Sequence, residues 1–197
     1  MPRKLPHTFY LQDDVVKIAK DLLGKVLVTD LPDGRTSGMI VETEAYSWTE
    51  RGCHAFGKKR TKRNAPMHEP GGISYVYLCY GVYELFNVVT NKRDIPDAVL
   101  IRGLEPIDGI DTMMRRCNSD TQTRITSGPG KLTRALGISR VHNRVDLRGG
   151  QIWLEDQGIA LKPGQILASK RIGLNFTGKD AHLPWRFTIK GNTWVSK

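Results

Sequence analysis

A carboxylate and an aromatic ring stand two positions apart in the segment Val-Glu-Thr-Glu-Ala-Tyr at residues 41–46. The segment follows a turn signal, Pro-Asp-Gly at 32–34, and its composition predicts one strand of a hairpin. Alternation along a strand would place Glu42, Glu44 and Tyr46 on one face, with successive side chains of that face about 7 Å apart. An acid beside a stacking ring suits chemistry on a nucleobase. The alternative is the solvated face of an edge strand, and the segment taken alone favours that alternative.

Tyrosine is concentrated around a second predicted hairpin, whose strands are predicted at 73–78 and 85–89. Although only 8% of the chain is aromatic, four tyrosines lie in or between these strands: Tyr75, Tyr77, Tyr80 and Tyr83. Gly81 is the natural turn residue, so the tip of this hairpin is predicted to carry exposed aromatic side chains. Such clusters are typical of cores, interfaces and nucleic-acid platforms alike.

The loop before this hairpin, residues 47–72, is long and basic. The chain as a whole has 30 Lys and Arg against 20 Asp and Glu, a net charge of +10. Such an excess favours polyanionic partners, and loops of this length are commonly functional. Basic side chains beside aromatic ones therefore predict a nucleic-acid surface. The basic residues of the loop are Lys58, Lys59, Arg60, Lys62 and Arg63.

Other features disfavour competing chemistries. The segment Ser-Gly-Pro-Gly-Lys-Leu at 127–132 lacks the spacing of a nucleotide-binding P-loop. Its backbone amides and Lys131 are placed to hold one DNA phosphate at a helix start, although a plain helix cap is the simpler interpretation. The three cysteines form no Cys-x-x-Cys pair, so we expect no disulfide framework, no metal and no cofactor. Cys53 and His54 are adjacent, point apart and lack a third orienting group, which disfavours a Cys–His nucleophile.

The elements that must position these residues form a mixed α+β pattern rather than repeated β-α-β units. A helix is predicted after Asp13-Asp14, which cap its start, and Gly24 ends it. The 197 residues are predicted to form a single domain over 1–197, with 1–8 as a flexible tail. Further helices are predicted at 110–116 and 131–136, and further strands at 26–28, 38–46, 98–102, 151–154, 165–168 and 185–189.

Seven ordered motifs closely resemble the alkyladenine (3-methyladenine) DNA glycosylase family, over a span from about Phe9 to Val195. The motifs are Val-Glu-Thr-Glu-Ala-Tyr at 41–46, His54, Arg63-Asn64, Tyr-Val-Tyr-Leu-Cys-Tyr-Gly at 75–81, Leu-Ile-Arg-Gly-Leu-Glu-Pro at 100–106, Ser-Gly-Pro-Gly-Lys-Leu at 127–132 and Arg-Ile-Gly at 171–173.

The resemblance implies a curved mixed or antiparallel sheet flanked by helices, with a protruding hairpin that inserts into DNA. Tyr80, next to Gly81 at the tip, matches the family tyrosine that fills the gap left by an extruded nucleotide. The further DNA-binding residues are expected to be Arg63, Asn64 and Lys131.

The resemblance also assigns a base pocket walled by Tyr46, His54 and Tyr77. An electron-poor alkylated purine between aromatic faces would gain a cation–π term of about 0.5–2 kcal/mol. Asn87 matches the family asparagine that helps reject normal guanine.

For bond cleavage, Glu44 matches the general base that deprotonates a water aimed at the anomeric carbon. Arg102 and the backbone carbonyl of Ile172 match the groups that help hold this water. Because no residue resembles the nucleophilic lysine of a glycosylase-lyase, we expect hydrolysis without strand cleavage. The implied substrates are 3-methyladenine, 7-methylguanine, hypoxanthine and ethenoadenine, and their removal initiates base excision repair.

Two other functions stay open at this point. A nucleic-acid-binding module without chemistry would bind in a salt-dependent way and leave no abasic product. A hydrolase of small nucleosides would share the Glu–Arg chemistry but leave the basic loop and tip tyrosine unexplained. The chain begins without a secretion signal and has no apolar stretch of membrane-spanning length. We expect a monomer that binds damaged double-stranded DNA and no membrane, in the cytoplasm, on a bacterial nucleoid or in a eukaryotic nucleus.

Overall fold

The structure is a computed structural model that describes residues 3–162 and 164–196, and in this range it confirms the α+β class. Nine strands within these residues form one sheet, and their pairings are all antiparallel. The strands are β1 (Arg3–Lys4), β2 (Val26–Leu31), β3 (Gly34–Tyr46), β4 (Ser74–Cys79), β5 (Tyr83–Thr90), β6 (Asp97–Asp108), β7 (Ile152–Asp156), β8 (Ile166–Ser169) and β9 (Arg186–Ile189). The α-helices are α1 (His7–Tyr10), α2 (Val15–Asp21), α3 (Ile110–Cys117) and α4 (Pro129–Leu136), and 3₁₀ turns lie at Phe56–Lys58, Ala65–His68, Arg140–His142 and Gly178–His182.

Strand β3 is the centre of the sheet. The strand order is β1-β7-β2-β3-β6-β5-β4, and β9 with its partner β8 joins β3 beside its second half. β3 therefore has neighbours on both sides where Glu42 and Glu44 lie, and both glutamates are 0% exposed. The solvated edge strand, the alternative that the segment alone favoured, is wrong because β6 and β9 cover both of its edges.

A β-bulge presents Arg102 to these glutamates. Glu42 pairs with Gly103 and Thr43 pairs with Ile101, so Arg102 is the extra residue on β6. Bulges of this kind re-aim a side chain. The neighbouring Gly103 has to be a glycine, since a Cβ there would lie 2.9 Å from the backbone oxygen of Trp194.

The helices pack on one face of the sheet, and the long loop 47–72 covers part of the other. The Asp14 side chain accepts a hydrogen bond from the Lys17 amide and caps α2, whose Ile18 and Ala19 are fully buried in the main core, so the predicted cap is confirmed. Alternate residues of β4 to β6 point the other way and form a smaller cluster with the loop: Cys53, Ala55, Met67, Tyr75, Val89 and Ala98. Tyr46 and Tyr77 pack against this smaller cluster.

Two sequence predictions need correction. Residues 3–8 are not a flexible tail, because β1 pairs with β7 and Leu5 is buried in the core; positions 1 and 2 lie outside the described residues. Strand β6 is longer than the predicted 98–102 and continues through Pro106, since β3 extends alongside it to Asp108. The other predicted strands and helices are present with boundaries shifted by a few residues.

Candidate active site

A cavity of about 560 Å³ with several aromatic rings in its lining opens on the sheet face that the long loop covers. Tyr46 from β3, Tyr77 from β4 and His54 from the loop line it, so the structure brings the three predicted pocket walls together. The start of α4 and the segment 172–174 also line it. A flat, partly unsaturated ligand fits such walls by stacking.

The ring contacts fix the orientation of His54. Its ring centroid lies 4.6 Å from that of Tyr77, and its Nδ1 is 2.9 Å from the hydroxyl of Tyr75. Desolvation by these rings, together with the charge of Arg63, lowers the pKa of His54 to about 4, although the residue stays exposed at the mouth of the cavity. The imidazole is therefore neutral at pH 7 and offers an uncharged surface to a ligand.

Two arginines support the tyrosine walls from outside the cavity. The guanidinium carbon of Arg171 lies 4.7 Å from the ring centroid of Tyr46, and that of Arg63 lies 4.8 Å from the ring of Tyr77. Arg171 is buried and pairs with both carboxylate oxygens of Glu50 at 2.6 and 2.7 Å. Cation–π contacts and this buried pair hold Tyr46 in one position.

Glu44 lies directly behind the cavity wall, and three donors hold its carboxylate. Oε1 accepts a hydrogen bond from the backbone N–H of Ile172 at 2.8 Å. Oε2 accepts one from the Tyr46 hydroxyl at 2.8 Å and a longer one from Arg102 Nη1 at 3.4 Å. Burial and the nearby Glu44 carboxylate raise the pKa of Tyr46 well above its usual value, so that hydroxyl keeps its proton and donates it. The carboxylate is thus fixed in direction, and its three donors Tyr46, Arg102 and Ile172 all line the cavity.

The structure shows a different contact of Ile172 from the predicted one. The predicted role belongs to its carbonyl, whereas its observed contact with Glu44 is made by its amide. The carbonyl role stays a prediction. Asn87 lines the cavity, is 4% exposed and donates from Nδ2 to the carbonyl of Tyr75 at 3.0 Å; its role in rejecting guanine stays a prediction.

The hairpin tip carries an exposed tyrosine in an unusual backbone conformation. Tyr80 is 88% exposed with φ of 50°, Gly81 follows with φ of 72°, and the Val82 amide donates to the Cys79 carbonyl at 3.1 Å. Two consecutive positive φ angles are typical of a type I′ turn, which favours Gly or Asn and not a bulky ring. Strain and exposure at one residue are typical of a functional site.

The structure separates the predicted DNA-binding residues. Arg63, Lys131, Tyr80 and Gly81 are exposed. Asn64 is 1% exposed, and its Nδ2 donates to the carbonyls of His54 and Lys59, both at 2.8 Å. The prediction that Asn64 binds DNA is therefore corrected, because its buried side-chain amide already forms hydrogen bonds within the loop and with the His54 backbone.

Four site residues were not predicted from sequence: Tyr75, Glu50, Arg171 and Phe176. Tyr75 belongs to the tyrosine-rich hairpin and Arg171 to one of the ordered motifs, so the sequence contained a pattern from which both could have been predicted. Glu50 had none, because its partner is 121 positions away. Phe176 also had none; it lines the cavity on a lip formed by the segment 172–176 and is 78% exposed.

Competing sites are absent or inert in the described part of the chain. Burial raises the pKa of Cys53 to about 12, so this thiol is not an activated nucleophile. Among residues 3–162 and 164–196, no group of three His, Cys, Asp or Glu side chains is arranged to hold a metal ion, and no helix there is long and apolar enough to cross a membrane.

Comparison with known proteins places this site in context. Residues 8–193 match the family model described as Methylpurine-DNA glycosylase (MPG). A protein of Chlamydia abortus is 44% identical over 188 residues, covering 94% of this chain and 97% of that protein. Proteins of Methanocella arvoryzae and Clostridium acetobutylicum are 45% and 42% identical, covering 98% of this chain and 96% and 97% of their own lengths. All three are named "Putative 3-methyladenine DNA glycosylase".

Proposed function

Because the chain belongs to the methylpurine-DNA glycosylase family, and is thus a DNA glycosylase that hydrolyses N-glycosyl bonds, we propose that it excises alkylated and deaminated purines from double-stranded DNA and so initiates base excision repair. The proposed substrates are 3-methyladenine, 7-methylguanine, hypoxanthine and ethenoadenine. The proposed product is an abasic site in an uncut strand. We propose that the chain acts as a monomer, in the cytoplasm, on a bacterial nucleoid or in a eukaryotic nucleus.

One observation carries the proposal: a carboxylate, Glu44, is held behind an aromatic cavity by Tyr46, Arg102 and the Ile172 amide. A carboxylate accepts about four hydrogen bonds, and Oε1 accepts only one from the described residues, which leaves an acceptor site that we propose takes the proton of the attacking water. Such a fixed base beside a stacking pocket supports attack on a sugar whose base lies in the cavity.

The proposed reaction begins with base flipping. Extrusion of a nucleotide costs a few kcal/mol, and least where a damaged pair is already weak. The exposed ring of Tyr80 is proposed to fill the vacated stack while the flipped purine stacks between Tyr46, His54 and Tyr77. Wedge insertion and pocket stacking together offset the cost of unstacking.

Hydrolysis then follows by displacement at the anomeric carbon. Water forms a bond to that carbon, its proton passes to Glu44, and the bond to the purine nitrogen breaks with its electron pair leaving on the base. The negative carboxylate also stabilises oxocarbenium character in the transition state. A cationic purine such as 7-methylguanine leaves as a neutral base, which makes it the better leaving group.

Selection of the base is proposed to depend on shape and on Asn87. Its amide is anchored to the Tyr75 carbonyl, so it cannot swing away from an approaching exocyclic amino group. The amino group of normal guanine would meet a rigid wall there. Lys131 at the start of α4 and Arg63 in the loop are exposed beside the cavity and are proposed to contact phosphates.

The test is base release from duplex oligonucleotides that carry a single lesion. We expect the wild-type chain to release hypoxanthine or ethenoadenine and leave an intact strand, and Glu44→Gln to lose about 100- to 10,000-fold in rate, the range for general-base catalysis. Glu155→Gln is the matched control, because Glu155 is a buried carboxylate on β7 that bonds the Trp153 indole at 2.7 Å, away from the cavity lining. Equal release by wild type and Glu44→Gln would remove Glu44 from the mechanism, and salt-dependent binding without release would indicate a binding module.

A further inference from the structure

Glu42 is buried beside Glu44, and the function proposed above gives it no role. Its side chain is 0% exposed, yet its carboxylate receives four hydrogen bonds. Oε1 accepts from Arg186 Nε at 2.7 Å, Ser196 Oγ at 2.8 Å and Arg102 Nε at 3.0 Å, and Oε2 accepts from the Ser196 amide at 2.7 Å. Buried ion pairs are costly to desolvate and often add little stability. Because all of these hydrogen bonds serve a buried ion pair that is expected to add little stability, we look for a role of Glu42 in the reaction.

The charges of this cluster balance. Two carboxylates, Glu42 and Glu44, face two guanidinium groups, Arg102 and Arg186. Burial alone would raise the pKa of Glu42, but the charge of Arg102 and the hydrogen bonds of Ser196 and Arg186 hold it below its usual value. Glu42 is thus ionised at neutral pH, and its charge acts on Arg102 together with that of Glu44.

The contacts of Arg102 show which carboxylate controls it. Its Nε lies 3.0 Å from Glu42, whereas its Nη1 lies 3.4 Å from Glu44. A guanidinium group is a rigid planar fork, so a short contact at Nε fixes the direction of both terminal nitrogens. Without that contact, the fork keeps a long hydrogen bond from Nη2 to Ser196 Oγ at 3.5 Å, which is too weak to prevent a bidentate pair with Glu44. Such a pair would occupy the oxygens that must receive the proton of the water.

The segment 194–196 holds Glu42 in turn. The amide and hydroxyl of Ser196 bind its two oxygens, and the Val195 carbonyl accepts from Ser127 Oγ at 3.0 Å. The backbone of Trp194 fits against Gly103, which leaves no room for a side chain. This segment therefore connects Glu42 to Ser127, which lies just before the start of α4.

We propose that Glu42 is a positioning residue, which fixes Arg102 so that this arginine orients the attacking water instead of saturating the Glu44 carboxylate. The inference rests on the proposed function, since it concerns the same hydrolytic step. It predicts that Glu42 affects the rate of bond cleavage, acts through Arg102, and contributes little to DNA binding.

The test is a double-mutant cycle in single-turnover base release, with Glu42→Gln, Arg102→Gln and the double variant in the full-length chain. Misplacement of a reacting group by about 1 Å costs on the order of 100-fold, so we expect Glu42→Gln to cleave about 100-fold more slowly while half-saturation by lesion DNA stays unchanged. The double variant should be no slower than Arg102→Gln alone, since residues that act as a unit are not additive. Multiplied losses in the double variant, or a wild-type rate for Glu42→Gln, would overturn the proposal.

Ser196→Ala keeps the proposal testable if Glu42→Gln does not fold. It removes one of the four hydrogen bonds to Glu42 and a long contact of 3.5 Å with Arg102 Nη2, and a loss of about 1 kcal/mol predicts a rate about fivefold lower with the melting temperature lowered by no more than about 2–4 °C. An undiminished rate for Ser196→Ala would count against the proposal. Glu155→Gln again serves as the buried-carboxylate control and should keep the wild-type rate. If the wild-type chain releases no base from any lesion, the proposed function itself fails, whereas base release combined with full additivity overturns only the role of Glu42.

Discussion

Replacing Tyr80 by asparagine should separate the stability of the protein from its action on DNA. Tyr80 is 88% exposed, so its ring contributes almost no packing to the folded chain. Its φ of 50° lies in the left-handed region, which costs a non-glycine residue about 1–2 kcal/mol. Asparagine tolerates this conformation far better than a bulky residue does. We expect Tyr80→Asn to be stabilised by up to about 1 kcal/mol, or about 2–4 °C in melting temperature for a chain of this length.

The same substitution should weaken lesion processing. Stacking of an aromatic ring on a base contributes about 1–3 kcal/mol, so its loss predicts about 5- to 150-fold weaker formation of the flipped complex. The assays are thermal unfolding in the absence of DNA and single-turnover release of ethenoadenine from a duplex. Val141→Ala is the control, since Val141 is 82% exposed but does not line the cavity. A melting temperature lowered by several degrees would refute the strain argument, and wild-type release would refute the wedge.

Three further predictions concern the wall, the rim and the pH dependence of stability. Tyr46→Phe keeps the stacking ring but loses the hydrogen bond to Glu44, so base release should slow by about 10- to 150-fold with unchanged DNA affinity. Lys131→Ala should lower the slope of log affinity against log salt by about 0.9 if it contacts one phosphate. Burial lowers the pKa of His142 below its usual 6.5, so on acidification the unfolded chain binds a proton at this residue before the folded chain does. The free energy of unfolding should therefore fall as the pH drops from 7 to 5, and His142→Gln should reduce that fall, as measured by urea unfolding.

Each of these has an outcome that contradicts it. A Tyr46→Phe variant with the wild-type rate would show that the hydroxyl does not orient Glu44. An unchanged salt slope would place Lys131 outside the DNA contact. For His142, the ring Nδ1 accepts a hydrogen bond from the Ser139 amide at 3.0 Å, which a protonated ring cannot do. An equal loss of stability in wild type and His142→Gln would therefore assign the acid sensitivity to other groups.

The sequence determined the local elements and the types of residue at the site. Period two over 41–46 put Glu42, Glu44 and Tyr46 on one strand face, and Asp14 marked the start of a helix, because these signals depend on neighbours within a few residues. The predicted end at Gly24 was three residues late, because the helix ends at Asp21 and the Gly24 amide bonds the Ile40 carbonyl of β3. The tyrosine-rich hairpin with Gly81 at its tip is likewise a local pattern, and it is present at Ser74–Cys79 and Tyr83–Thr90. The ordered motifs then identified the family to which the chain belongs.

Only the tertiary structure decided what surrounds those residues. Whether β3 lay at an edge depended on β6 and β9, whose paired residues stand 52 or more positions away along the chain, so the segment alone favoured the wrong answer for Glu42 and Glu44. Asn64 was expected to bind DNA from the resemblance of the Arg63-Asn64 motif, and nothing local in the sequence indicated its contacts with the His54 and Lys59 carbonyls. The bulge at Arg102 and its contact with Glu42 arise from strand register across 60 residues. Long-range pairing of this kind leaves no periodic trace in a single sequence, because each partner reads locally as an ordinary polar residue on a strand or loop.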